Sequence, residues 1–439
     1  MSHYQDPAMP AGVIHAVELT FDEKVIAATD TGLVQFDRGQ WKRMDTFPSV
    51  PVLHLAANKE AVYAASESEL HRIGLDEGQG NAVAIPSAPT ALAAGSDGVV
   101  WLGTAQGLFR LHGSEMTAET NLNALLGSRA DIRQIALSSG GQVSAATDAG
   151  LFTLDSEGWQ RRRPRTGITR WDTVDVRGTA YDQDDRLWFC SPQGVGCFDG
   201  EWTLFTGRDG LPWNDFTVAG SDGSGVMWFG TRRGAVCYDG SHWGYREGRR
   251  WLPDNNVHDI VASPNGQVWF ATADGVGLID RQPMTLAKKA RFYEGEIDRY
   301  HRRTPYEYVR WVSLAQPGDR SEWQKHDDDN DGQWTGEYGA AECFRYAATK
   351  APEAKKRATK AFEALRFLSQ VSQGGSHPAP KGFPARTIWP VDSPRNPNNE
   401  ASYSIEADEK TRTSDALWKV IHPRWPTSAD GKWYWKCDT

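Results

Sequence analysis

No stretch of this 439-residue sequence reaches about 18 consecutive apolar residues, so no membrane-spanning helix is expected. The start, Met1-Ser2-His3-Tyr4-Gln5-Asp6, has neither a basic segment nor an apolar one, and therefore does not read as a secretory leader. The expected compartment is the cytoplasm, or the periplasm or exterior if a leader once preceded Met1. Cysteine is scarce. Cys190, Cys197, Cys237, Cys343 and Cys437 form no C-x-x-C pair and no zinc-type spacing, and their odd number excludes a fully paired disulfide framework, so they read as buried thiols. Positive charge is also in short supply. A net charge of −9 argues against broad, sequence-blind nucleic-acid binding, while leaving room for a local basic site.

What is present is a repeat. Trp228-Phe229-Gly230-Thr231-Arg232-Arg233-Gly234 has close copies at Trp101-Leu102-Gly103-Thr104-Ala105-Gln106-Gly107 and Trp269-Phe270-Ala271-Thr272-Ala273-Asp274-Gly275. Each copy reads as a buried strand, a Thr-x-x-Gly turn and a second short strand. The turn position recurs at Gly32, Glu69, Gly107, Gly150, Gly194, Gly234 and Gly275, at spacings of 37 to 44 residues. Seven units of about forty residues match the size of four-stranded propeller blades. The glycine suits a backbone position with φ > 0, so Glu69 marks the second blade as irregular. In the sixth unit the four strands are read at 217–219, 226–229, 234–238 and 242–245. No spare strand is evident at either end of the repeat, so the manner of closure stays open.

The W-x-G-T-x-x-G stretch, the later Asp199-Gly200-Glu201-Trp202, and the loops Leu211-Pro212-Trp213-Asn214 and Leu252-Pro253-Asp254-Asn255 carry a resemblance. Residues 12–284 look like the two-component regulator propeller repeats. That resemblance implies a seven-bladed β-propeller of the kind found in the sensor half of hybrid signalling proteins and in some carbohydrate-related proteins. No kinase or response-regulator motif follows in this chain. A propeller alone does not specify an activity.

Counting back 17 residues from each turn glycine reaches the start of the innermost strand, beside the central channel. The residues met are His15, Thr90, Arg133, Arg177, Thr217 and His258; the second blade, with a hairpin two residues shorter, supplies His54. Polar groups converging on a concave mouth can bind a ligand, or can simply face water in a wet channel. Histidine can act as a base or hold zinc. The same rim collects Arg165, Arg170, Arg208, Arg232, Arg233, Arg249 and Arg250, with Trp213 and Trp251 in the same loops. Arginine pairs bidentately with carboxylate, sulfate or phosphate, and tryptophan stacks on sugar rings, so an anionic ligand is one reading and a solvated charged rim the other.

After Asp280 the apolar period lengthens. Leu286, Ala290, Tyr293, Ile297 and Tyr300 mark one face of a helix, and 308–314 alternates as an extended segment. Helices are expected over 336–349 and 352–372, with Pro352 in the first turn of the second and Gly374 just past its end. Ala358, Phe362, Leu365 and Leu368 form the expected buried stripe of that αα-hairpin. A long loop is expected over 374–399.

Between strand and hairpin lies His326-Asp327-Asp328-Asp329-Asn330-Asp331-Gly332. Asp327, Asp329 and Asp331 place three carboxylates on one loop, which suits calcium, although the twelfth position from Asp327 is Tyr338 and not the acidic residue an EF-hand needs. Capping of the following helix by these carboxylates, or direct substrate or acid–base work, are the alternatives. Asp329-Asn330-Asp331-Gly332, Trp334-Thr335, the helix 338–346 and Gly382-Phe383-Pro384-Ala385-Arg386 together resemble an α/α-toroid domain of carbohydrate-active proteins. About 150 residues are too few for a whole toroid, so the second domain, 285–439, is expected to be incomplete at its C-terminal end.

Three functions are carried forward. The first is a carbohydrate-active protein that binds or cleaves an anionic oligo- or polysaccharide, as lyase or hydrolase. His326, Tyr338, Arg345 and Glu342 are the candidate catalytic set, and His15, His54, Arg133, Arg177, His258, Trp213, Arg232, Arg233, Arg249 and Arg250 the binding set. The second is a non-catalytic propeller that senses a small ligand or binds a protein. The third, nucleic-acid binding, is disfavoured by net charge.

Overall fold

A computed structural model describes residues 12–37, 39–74, 78–127, 131–315, 320–325, 330–375, 377–394, 396–399 and 425–436. The chain divides into two compact units, one running to Gln282 and the other beginning at Pro283.

The first unit is a seven-bladed β-propeller. Blades 1 to 6 are antiparallel four-stranded sheets in simple A-B-C-D order. Their inner A strands are Ile14–Leu19, His54–Ala57, Pro89–Ala94, Ile132–Leu137, Gly178–Tyr181 and Phe216–Ser221. Blade 7 has three described strands, Val257–Ala262, Gln267–Thr272 and Gly275–Asp280. Helix α1, Thr120–Leu126, bridges blades 3 and 4.

The repeat motif has a physical reason at each position. The Thr-x-x-Gly threonine is buried and its hydroxyl donates to the carbonyl three residues on: Thr29 to Gly32 at 2.9 Å, Thr231 to Gly234 at 2.7 Å, Thr272 to Gly275 at 2.7 Å. The turn glycine takes φ of +116° at Gly234 and +102° at Gly275, where a Cβ would be strained. In blade 2, Ser66 and Glu69 make the same hydroxyl-to-carbonyl bond without the positive φ, which accounts for the tolerated Glu. The repeat tryptophans seal adjacent blades: Trp228 meets Phe270 edge-on with centroids 5.4 Å apart, and Trp101 meets Trp159 at 6.0 Å.

Closure uses this same packing, with no described strand exchanged between the ends. Trp41 and Trp269 meet edge-on at 6.1 Å, in an apolar cluster shared by blades 1 and 7. Two polar contacts lock the same seam: Nδ1 of His258 donates to the Ile14 carbonyl at 2.9 Å, and the Val17 amide donates to Asp259 Oδ2 at 3.1 Å.

The second unit contains α2 (Leu286–Glu296), continued by a π-turn over Ile297–His301, and the antiparallel pair α3 (Asp331–Thr349) and α4 (Pro352–Val371). Short two-stranded ribbons complete it, among them Thr387–Pro390 with Trp433–Lys436. Three sequence expectations are corrected here. The 308–314 segment is two short strands, Tyr308–Val309 and Val312–Leu314, pairing with different partners. The stripe of α2 is largely exposed, with Leu286 at 86% and only Tyr300 of the five buried. On α4 the buried face is Ala354, Ala361, Ala364, Leu368 and Val371, while Phe362 is 63% exposed. The reason is close helix approach: a Cβ on Gly339 of α3 would lie 3.1 Å from the Ala361 Cβ, so small side chains, not Phe362, occupy the seam.

Candidate functional site

A propeller blade presents its A strand edge to the channel, and one feature recurs there. In blades 1, 3, 4, 6 and 7 the pairing of strands A and B skips one residue of strand A: His15, Thr90, Arg133, Thr217 and His258. These are β-bulges, which turn an extra side chain aside from the regular alternation. The 17-residue count thus lands on the bulged residue. Because the bulge breaks alternation, consecutive residues such as His258 and Asp259, or Arg133 and Gln134, both face the channel. They enclose a cavity of about 320 Å³, lined also by His15, Glu18, His54 and Thr217.

Each polar group in this cavity has definable partners. His15 Nε2 is 2.7 Å from Asp30 Oδ1. His258 donates Nδ1–H to Ile14, so its Nε2 accepts from Asn256 Nδ2 at 3.1 Å in the neutral ring. Burial, and then the charge of His15, push His54 down to about 4, against the pull of the Pro89 carbonyl, so His54 is neutral near pH 7. Arg133 is held by Asp131 at 3.1 Å and by Asp175, whose other oxygen accepts from Arg177 at 2.8 Å. Thr217 donates to the Val257 carbonyl at 2.6 Å.

Three lining residues were not anticipated from the sequence: Glu18, Gln134 and Asp259. Gln134 bridges blades, its Oε1 accepting from the Thr179 and Ala219 amides at 3.1 and 3.0 Å and its Nε2 donating to the Ala219 carbonyl at 2.7 Å. The two acids also receive backbone amides, Val17 and Ile260 on Asp259 and Leu19 on Glu18. Burial nevertheless raises Asp259 to about 7 and Glu18 to about 8, the latter aided by the charge of Asp259. A charged residue within an otherwise apolar inner strand, as in Ile14-His15-Ala16-Val17-Glu18-Leu19, was the available signal.

The rim arginines are partly committed within the blade. Arg232 pairs with Asp215 at 3.1 Å. The Arg233 guanidinium lies 5.1 Å from the Trp213 ring centre, and Arg246 and Arg250 flank Trp251 at 4.6 and 5.5 Å. Arg249 is exposed.

In the second unit, Tyr338, Glu342 and Arg345 come together with residues the sequence reading did not name. Arg345 closes on Glu342 at 2.5 and 3.1 Å. The Tyr338 hydroxyl donates to Glu294 Oε2 at 3.2 Å, and Arg357 ties Glu294 at 2.7 Å to Asp298 at 2.8 Å. Burial raises the Tyr338 hydroxyl pKa, which opposes its use as a base. His326, Asp327 and Asp329 lie outside the described residues. Asp331 is fully buried, and its carboxylate takes Arg303 through two bonds of 3.0 and 2.7 Å and the Thr387 hydroxyl at 2.8 Å. Guanidinium and hydroxyl donors thus hold both oxygens of Asp331, the expected metal ligand. Among the described residues no three His, Cys, Asp or Glu side chains gather closely enough to hold a metal ion. No described helix is long and apolar enough to cross a membrane.

Residues 252–274 match the family model described as "Two component regulator propeller". The matched regulator-propeller stretch carries Leu252-Pro253, the bulged His258 and the Trp269 motif of blade 7. Among solved structures the chain is similar to the extracellular domain of BT4673 from B. thetaiotaomicron, named as a one-component or hybrid two-component system, at 16% identity and a TM-score of 0.53 over 65% of this chain and 40% of that one. The extracellular domain of BT3049 from the same organism, also named as a hybrid two-component system, gives 14% identity and a TM-score of 0.53 over 75% and 46%. Virginiamycin B lyase from Staphylococcus aureus, solved with quinupristin, gives 13% and 0.50 over 64% and 98%. The chain therefore spans less than half the length of the first two domains. At these identities the likeness shows the fold. No curated protein sequence matches the chain.

Proposed function

We propose that this regulator-propeller unit is a non-catalytic sensor whose central channel binds a small polar ligand. The observation that carries the reading is the 320 Å³ cavity, at the lower end of small-molecule sites, into which bulged residues from different blades converge. The naming of structural neighbours as extracellular domains of one- and two-component systems supports it. The lyase or hydrolase reading is less well supported. A lyase needs an available cation to neutralise a uronate and a base of suitable pKa, whereas Arg133 and Arg345 are held by carboxylates and Tyr338 is shifted the wrong way.

Thermal melting with monosaccharides, uronic acids, amino acids and amines tests this reading. At least one class is expected to raise the melting temperature of the propeller, and His258→Ala with His54→Ala is expected to abolish that rise. Cleavage of a uronic-acid polymer by the protein would overturn it.

A further inference from the structure

The lining of the channel specifies a charge. Arg133 is its one arginine, and that guanidinium is already held by two aspartates, Asp131 and Asp175. His15 leans on Asp30, His258 has both ring nitrogens engaged, and the half-buried His54 bonds the Pro89 backbone. Glu18 and Asp259 are different. Among the described residues neither joins an ion pair, and their donors are backbone amides, Val17 and Ile260 for one, Leu19 and Ala57 for the other. A carboxylate offers about four acceptor sites, so each keeps capacity directed at the cavity.

We infer, building on the sensor reading, that the channel is selective for a small organic ammonium ion, bound by the carboxylates of Glu18 and Asp259. An anion would face two acids with no uncommitted cation among the described lining residues. A sugar could accept or donate hydrogen bonds here but would make no use of the charge the two acids can carry. A bare metal ion lacks a third ligand in reach and would leave most of 320 Å³ unfilled. An ammonium group brings three donors on a compact charge, and its carbon stem meets Ala91, Leu92, Ile135 and Ile260 of the wall.

The coupling to pH follows from the same groups. Both acids hold protons near neutrality because burial disfavours their charge, and a bound cation reverses that preference. Binding therefore releases protons, and affinity rises with pH from about 6 to 8.5 while the amine stays charged. Of the other groups facing the acids, His54 is already neutral across that window and Arg133 stays charged; His15, beside Asp30, and His258, between Ile14 and Asn256, are the remaining titratable groups of the lining.

The test is isothermal titration of the whole chain with ethanolamine and with putrescine, in phosphate and in MOPS at pH 6 to 8.5. Glucose, glucuronate and potassium chloride are the comparators. At least one amine is expected to bind saturably with proton release, more tightly at higher pH, and at least about tenfold more weakly to the Glu18→Gln, Asp259→Asn double variant. Proton release is read on the unaltered protein, so the inference stays testable if the variant misfolds. Binding of glucose or glucuronate in the channel, with neither amine bound, overturns the ammonium assignment and leaves the sensor reading standing. Binding of an amine that ignores pH and the double variant overturns the assignment to these two acids. No binding by any of these compounds overturns the ammonium assignment, and loss of every melting shift described above would overturn the sensor reading with it.

Discussion

The two units bury polar side chains by opposite rules. In the propeller, Gln134, Glu18 and Asp259 line a channel from inner strands and take backbone amides of their own or neighbouring blades, so each polar group serves the edge of a sheet beside a ligand-sized space. In the second unit, Asp331 lies in a closed interior, clasped by Arg303 with Arg310 3.8 Å away. One arrangement leaves acceptor capacity facing a cavity, and the other uses it internally. The difference separates the proposed site from a structural fastening. Perturbed acids occur in both, so a raised pKa alone would not have told them apart.

The largest expected effect breaks the fastening. Asp331→Ala removes the buried carboxylate that pairs with Arg303 and should cost about 3–5 kcal/mol, seen as an early unfolding transition of the second unit in a denaturant titration, with the propeller transition unmoved. Next comes the blade staple. Gln134→Ala removes three backbone contacts and should cost about 1–3 kcal/mol, read as a lower midpoint for the propeller transition alone.

A smaller effect is expected from pH. Asp259 and Glu18 hold protons in the folded state that the unfolded chain has lost, so their contribution to stability is present below the unfolded carboxyl range and fades as pH rises through about 7 and 8. His54 acts in the opposite sense, costing stability as pH falls from about 6.5 toward 4. Melting temperatures from pH 6.5 to 8.5 should fall more steeply for the unaltered protein than for Glu18→Gln, Asp259→Asn. The smallest effect checks the α4 register: Phe362→Ser should change stability by no more than about 0.5 kcal/mol, whereas Leu368→Ala in the buried face should cost about 2–5 kcal/mol.

How much was legible in the sequence differs between the units for the same physical reason. A propeller blade contacts only its neighbours, so Trp-x-Gly-Thr-x-x-Gly encodes strand, turn and seam within a few residues, and a fixed count back from the glycine finds His15, Arg133 and His258. Asp259 and Gln134 escaped because the count follows one residue per blade, and a bulge brings its neighbour to the channel as well; Glu18 lies three residues beyond the bulge at His15, further along the same strand. The second unit is stabilised by contacts distant in sequence, such as Tyr308 donating to the Ala364 carbonyl at 2.7 Å. There the stripe rule selected Phe362, but alanines set against Gly339 form the seam. Tyr338, Glu342 and Arg345 share helix α3, while the Tyr338 partners Glu294 and Arg357 lie 44 and 19 residues from it in sequence and carried no local signal.

A crystal structure grown with the tightest-binding compound of the titration series tests the central claim most directly. The account places the ligand inside a ring of seven blades, within hydrogen-bonding distance of Glu18 or Asp259. Ligand density on the outer rim, in the second unit, or in a ring of six or eight blades would contradict it.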